Sequence, residues 1–260
     1  MPDNFDLMVA PNGARLTKAD HPAVPITARE LAETARACAQ VGATAIHLHV
    51  RDAQGHHSLE PELYAKAVDA IAEMTALRVQ FSTEAADRYD VAAQRSCLAH
   101  PASGDASVAL REIARDPENL TETYRNAARL NVDIQHILYD AQDLRHLLEL
   151  FETGRIPEQN RRAIFVLGRY TPGQVSRPGD LKPFLDTLGQ VPLNWSACAF
   201  GQNEHACMMA ALEAGGQVRI GFENNHLRPD GTAYPDNATS VAAFVETADK
   251  AGFQPRSLTA

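Results

Sequence analysis

Two histidines two residues apart, His47 and His49, stand at the end of a β-branched run, Thr44–Val50. Alternate side chains of a strand share a face, so these two lie ~6.5–7 Å apart along it. Both imidazoles can then meet one zinc ion, each at ~2.0–2.1 Å, while Leu48 points outward. The other reading of such a pair is two core histidines, or one catalytic and one structural. A third donor is Glu223, in Gly221-Phe222-Glu223-Asn224-Asn225 at the end of another run. Two imidazoles and one carboxylate leave a coordination position open, the arrangement of a catalytic zinc; iron, manganese, cobalt or nickel would accept the same donors. Otherwise Glu223 is a rim carboxylate paired with Arg219. Arg219 itself stays charged and can grip a carboxylate with two N–H groups, or form an ion pair inside the fold. Arg51 and Asp52 either orient the imidazoles or pair across the rim, and His56 and His57 read as exposed polar residues.

The elements around these residues alternate. Strands are expected at Asp6–Ala10, Thr44–Val50, Leu77–Ser82, Ala106–Leu110, Val132–Tyr139, Ala163–Leu167, Leu193–Ala199 and Val218–Phe222. Helical patterns fall near residues 27–40, 60–76, 87–99, 117–130, 141–153, 178–189, 203–214 and 237–250. Thr27 three residues before Glu30 is a capping-box spacing. Gly42, Gly154 and Gly215 follow periodic stretches where helices end. Eight strand–helix units at roughly 32 residues each predict an α/β fold of the (β/α)8 TIM-barrel type, one domain over residues 1–260. An open doubly wound sheet is the competitor, weakened because no GxGxxG follows the first strand. In a barrel, strand 8 closes beside strand 1 with strand 2 next along, which brings Glu223 toward the two histidines. The Pro- and Gly-containing stretches Asn12–Pro25, Tyr170–Gly179 and Arg228–Asp236 become loops on the face where barrels carry their sites.

Composition sets the bounds. The 260 residues are 45% hydrophobic and 22% charged, as expected of a soluble globular chain. No apolar run approaches the ~20 residues of a membrane span, and the first residues lack the pattern of a signal peptide. The excess of 33 acids over 24 bases, a net charge of −9, argues against a general nucleic-acid surface. Four cysteines without CxxC spacing read as reduced thiols of a cytoplasmic protein.

Six segments in order along the chain resemble the β-keto acid cleavage enzymes, the family of the lysine-fermentation enzyme acting on 3-keto-5-aminohexanoate. They are Ala10-Pro-Asn-Gly-Ala-Arg15, Pro22-Ala-Val-Pro-Ile-Thr27, Gly42-Ala-Thr-Ala-Ile-His-Leu-His-Val-Arg-Asp52, Ser82-Thr83, Gly215-Gly-Gln-Val-Arg-Ile-Gly-Phe-Glu-Asn224 and Asp236-Asn-Ala238. The resemblance implies a zinc-dependent TIM barrel, a homo-oligomer (a tetramer), that converts a β-keto acid and acetyl-CoA into acetoacetate and a new acyl-CoA. It places the zinc on His47, His49 and Glu223, the mechanistic arginine on Arg219, and the substrate carboxylate on Ser82 with its neighbour Thr83. Ser107 is a further candidate for that anion site, or an internal hydroxyl bonded to backbone. Two departures stand out. Arg15 replaces an acidic residue that binds the substrate ammonium, which predicts an acidic keto acid such as β-ketoglutarate or β-ketoadipate, then a neutral or hydroxylated one; alternatively Arg15 points away and pairs with Asp20 or Glu84. The Arg-Asp dyad of the family reads Arg219 and Asn224 here, and an amide does not take up a proton as a carboxylate does. The base is then another group, such as Glu84 or a water activated by the metal, or the activity differs. The Ser-Thr-Gly-Gly of the family becomes Ser82-Thr83-Glu84-Ala85. A metal-dependent hydrolase of the amidohydrolase type is the second reading, ranked lower because strand 1 carries no histidine.

Overall fold

The computed structural model describes residues 3–100 and 104–257. Eight parallel strands form a closed barrel: β1 Leu7–Val9, β2 Ala45–Leu48, β3 Arg78–Ser82, β4 Asp105–Ala109, β5 Asp133–Leu138, β6 Arg162–Leu167, β7 Asn194–Ala199 and β8 Gln217–Ile220. Each pairs with the next in sequence, and β8 pairs with β1 through Val218–Leu7, Arg219–Met8 and Ile220–Val9. The helices are α1 Ala28–Gln40, α2 Pro61–Ala72, α3 Val91–Leu98, α4 Leu120–Arg129, α5 Ala141–Glu152, α6 Lys182–Leu188, α7 Glu204–Glu213 and α8 Asn237–Lys250. All eight expected units are therefore present, in a closed rather than an open sheet.

Local chemistry explains the ends of these elements. Thr27 and Glu30 form the full capping box of α1, and Asp90, Asp140 and Asp236 cap α3, α5 and α8 through side-chain oxygens. Gly42, Gly154 and Gly215 take positive φ just past α1, α5 and α7, the position where a helix terminates most cheaply on glycine. Outward-facing strand residues such as Leu48, Phe81 and Phe165 are buried against the helix layer in one continuous apolar cluster. Tyr64 of α2 stacks on Phe81 with ring centroids 4.2 Å apart. The four cysteines are buried and free. Among the described residues no helix is long and apolar enough to cross a membrane.

Two expected strands stop two residues before the ends of their sequence runs. β2 stops at Leu48; Val50–Arg51 instead pairs antiparallel with His57–Ser58 in a small hairpin. β8 stops at Ile220 because Gly221 adopts φ 136°. A Cβ at Gly221 would lie 2.5 Å from the Ala10 carbonyl oxygen, so the end of β8 rests directly on the end of β1. A one-turn helix, Leu110–Ile113, follows β4 directly.

Candidate active site

The turn after β8 delivers Glu223. Its own N–H donates to Ala10 O at 3.0 Å. The Gly221 N–H donates to the buried Glu204 carboxylate at 3.1 Å, and the Phe222 N–H to Asn237 Oδ1 at 3.0 Å. Every backbone donor of this bend is thus satisfied, which fixes where the carboxylate points. On the other side Asn12 holds His49 by its backbone, donating to His49 O at 2.8 Å and accepting from His49 N at 3.2 Å. Gly13, at φ 59°, lies so close to Glu223 that a Cβ there would meet Glu223 Cγ at 2.8 Å.

The result is a convergent triad. Glu223 Oε2 lies 3.6 Å from His47 Nε2 and 3.6 Å from His49 Nε2. One ligand atom from each of the three residues falls within 4.8 Å of the others. The two imidazoles stand nearly perpendicular, 85°, with centroids 5.2 Å apart. His49 Nε2 and Glu223 Oε2 are buried with no hydrogen-bond partner. Buried polar atoms left unpaired are costly, and a divalent cation between them would satisfy both, so the donor set fits a metal. Burial, with Arg219 close by, pushes the His47 imidazole well below the ordinary histidine range; burial and the neighbouring His57 and His47 do the same to His49. Both rings are neutral near pH 7, the form that coordinates. Burial raises the Glu223 carboxyl against the pull of Arg219.

The triad lines a cavity of about 270 Å³ at the C-terminal ends of the strands. Ser82, Glu84, Arg15 and Arg219 line it as well, so the structure gathers seven of the ten expected site residues around one space. Arg219 is 4% exposed and donates from Nη2 to Glu223 Oε1 at 3.2 Å. Its Nε and Nη1 are buried and unpaired. Arg15 lines the mouth but is taken up by two carboxylates, Glu84 Oε1 at 2.6 Å and Asp87 Oδ2 at 3.1 Å. The other three candidates lie off the cavity. Thr83 Oγ1 donates to Ser107 O at 2.8 Å. The Ser107 hydroxyl is buried without a partner, and so is the Asn224 amide. A wider groove of about 650 Å³ runs between α3 and α4, with none of the triad in it.

Several residues at the site had no expectation attached, or the wrong one. His57 is buried, 4% exposed, not an exposed polar residue. Its Nδ1 lies 3.4 Å from His49 Nδ1 and its Nε2 2.9 Å from Glu84 O. The signal was the Asp52-Ala-Gln-Gly55 turn, in which Asp52 Oδ1 accepts from Gln54 N at 3.0 Å and His56 N at 2.9 Å and so folds the chain back. His56 is exposed as expected, at 65%. Gln80, register partner of His47 on β3, reaches His47 Nδ1 at 3.0 Å; its place two residues before Ser82 marks it as inward-facing. Among the described residues Arg51 makes no hydrogen bond to either imidazole and donates instead to Gly13 O and Leu16 O, pinning the first loop. Arg169, on the loop after β6, lines the cavity with its guanidinium 5.1 Å from the centroid of the Phe200 ring. Among the described residues it makes no hydrogen bond or ion pair through that group. Much of the remaining wall, Ala109, Ile137, Tyr139, Val166 and Phe200, is apolar or aromatic.

A profile of the beta-keto acid cleavage enzymes matches residues 6–259. The chain belongs to that family. Among relatives of this family member, the 3-oxoadipate:acetyl-CoA acetyltransferase of Cupriavidus necator is 25% identical over 254 residues, covering 95% of this chain and 89% of the relative. The 3-keto-5-aminohexanoate cleavage enzyme of Acetoanaerobium sticklandii is 28% identical over 250 residues, covering 92% and 90%. In solved structures the barrel of this β-keto acid cleavage enzyme resembles ObcA bound to oxaloacetate, with TM-score 0.73 at 15% identity. That match covers 91% of this chain and 66% of ObcA, and it shows the shared fold.

Proposed function

We propose that this barrel converts a β-keto acid and acetyl-CoA into acetoacetate and a new acyl-CoA, with a divalent cation, zinc by its donor set, at His47, His49 and Glu223. The observation that supports this reading is the meeting, in one cavity, of three convergent ligand groups, two of them unpaired, with a buried arginine that has two unpaired nitrogens to spare. When bound, such a cation supplies a Lewis acid for the keto oxygen, worth several kcal/mol. The protein's own residues do the rest. Arg219 Nε and Nη1 take the substrate carboxylate or the charge that develops beside it, with Ser82 on the same wall. Glu84, whose Oε2 is 4.0 Å from His49 Nε2, accepts the C2 proton, since the Asn224 amide cannot. The C2 carbanion forms a C–C bond to the acetyl carbonyl, and CoA thiolate leaves that carbon and adds to the keto carbon of the former substrate. The C2–C3 bond then breaks, giving acyl-CoA, and Glu84 returns the proton to C2 of acetoacetate.

The lining also bears on the substrate. Relatives are named both for 3-oxoadipate, which has a second carboxylate, and for 3-keto-5-aminohexanoate, which has an amine. With Arg15 already holding Glu84 and Asp87, the cation open to a distal group is Arg169, beyond the apolar wall. An amine there is repelled. A keto acid with an acidic end fits best, followed by a neutral one.

The test is to incubate zinc-loaded protein with acetyl-CoA and a panel of β-keto acids, with acidic, neutral and amino termini, and to follow products by mass spectrometry. Acetoacetate with a matching acyl-CoA is the expected result. Keto-acid breakdown that proceeds equally without acetyl-CoA would overturn the proposal in favour of a hydrolase.

A further inference from the structure

From two hydrogen-bond chains we infer that Gln80 and His57 are positioning residues that lock both imidazoles of the triad in one tautomer, protonated on Nδ1, with the Nε2 lone pair free. The inference rests on the metal reading above but concerns the protein without its ion. A neutral imidazole carries one proton, and which nitrogen holds it follows from what the other faces.

For His47 the chain begins at the floor of the barrel. Asp105 is 5% exposed and bonded by Arg78 and Arg162, with Arg162 Nη1 3.3 Å from its Oδ1; guanidinium groups only donate, so its oxygens serve as acceptors. Gln80 faces Asp105 Oδ1 at 3.0 Å and Gln135 Oε1 at 3.2 Å. The end of the Gln80 amide that meets Asp105 must therefore be its NH₂. Its oxygen is left for His47 Nδ1, 3.0 Å away, and an oxygen there requires Nδ1–H. For His49 the chain begins at a backbone carbonyl. Glu84 O lies 2.9 Å from His57 Nε2, which must donate to it. A neutral His57 spends its one ring proton on that carbonyl, and its Nδ1 then carries only a lone pair. That lone pair faces His49 Nδ1 at 3.4 Å, which must be the donor. Both chains end with Nε2 bare and aimed at Glu223 Oε2.

The consequence is preorganisation. An imidazole in the wrong tautomer must shed a proton before it can coordinate, and outer groups of this kind typically change metal affinity 10–100-fold. Gln80→Met and His57→Phe remove the acceptors at similar volume. The readout is two-dimensional ¹H–¹⁵N NMR of histidine-labelled, metal-free protein, with His47→Ala and His49→Ala spectra giving the assignments, beside zinc affinity from chelator competition. In the wild type both rings should show the Nδ1–H pattern. Gln80→Met should release His47 alone, and His57→Phe His49 alone, each weakening zinc binding at least ~10-fold. Asp105→Asn, remote from the cavity, should also loosen the His47 pattern. Wild-type rings in the Nε2–H form, or variants that keep both pattern and affinity, would overturn the inference. If the Nδ1–H pattern is present but zinc does not bind, the assignment of Gln80 and His57 stands and the metal reading falls.

Discussion

The mouth of the barrel has two unlike halves. From β8 through β1 to β3 it presents His47, His49, Ser82, Glu84, Arg219 and Glu223; from β4 to β7 it presents mainly Ala109, Ile137, Tyr139, Val166 and Phe200, with Arg169 and Gln174 the polar exceptions. The polar half is held by chains of hydrogen bonds that run into backbone and floor, through Asn12, His57 and Gln80. The apolar half is packed on itself, with Cys198 and Ile164 beneath it. This division separates two tasks. Charge must be fixed where bonds change, because buried polar groups act strongly only when each has a defined partner. The substrate chain needs a dry surface of the right shape, where small hydrophobic differences are worth 1–3 kcal/mol.

Substitutions that strike one half should spare the other. His47→Ala, in the polar half, is expected to cut acyl-CoA formation ~10³-fold, the loss of several kcal/mol of electrophilic assistance. Zinc content by elemental analysis should fall with it, while thermal unfolding of the metal-free protein changes little. Acid should instead strike the outer wall of the apolar half. His136, on β5, is fully buried, held down to about 4 by burial, and bonds only through Nδ1, which donates to Arg162 O at 2.8 Å. The unfolded chain takes up this proton near 6.5, so stability is whole above that pH and declines as pH falls toward 4. The loss amounts to about 3 kcal/mol from this group. Urea midpoints between pH 7 and pH 4.5 check it, and His136→Leu should flatten the slope.

Three arginine substitutions sharpen the contrast further. Arg219→Lys keeps a charge beside Glu223 but loses the planar fork, and kcat should fall ~100-fold with KM for acetyl-CoA little changed. At the rim, Arg169→Met should raise KM for a keto acid with an acidic end ~10-fold and leave a neutral analogue within twofold. Arg15→Met should shift neither by more than about twofold, because its charge is already shared with two carboxylates. A large effect at Arg15 and none at Arg169 would reverse the assignment of the distal pocket.

Much of this was legible because the barrel repeats a simple pattern. Strand alternation and helix periodicity located all eight units, and the spacing of His47 and His49 with Glu223 at the far strand foretold the triad. The errors share a cause, which is that one-dimensional patterns do not show where backbone turns. Gly221 ends β8 early because it must lie against Ala10, and the Asp52–Gly55 turn carries His57 inward. Thr83 and Ser107 looked like neighbours of the anion site, yet Thr83 Oγ1 points to the next strand's carbonyl. Arg15 takes Glu84, one of the two partners offered for it, but Asp87 in place of Asp20, a choice that no periodicity reveals. Gln80 was within reach, since a polar residue inside an apolar strand faces the barrel interior and needs a partner there.

The little hairpin of Val50–Arg51 and His57–Ser58 makes one part of the triad a neighbourhood affair: both imidazoles and the ring behind His49 come from residues 47–57. The carboxylate arrives only with the last strand, whose pairing to β1 shuts the cylinder. A growing or partly folded chain would thus offer a weak, two-toothed grip, and the full grip would appear only at closure. Anything that binds the finished form alone adds its binding energy to that final seam, so an ion here would act as a clasp, holding shut the two ends of the polypeptide it depends on.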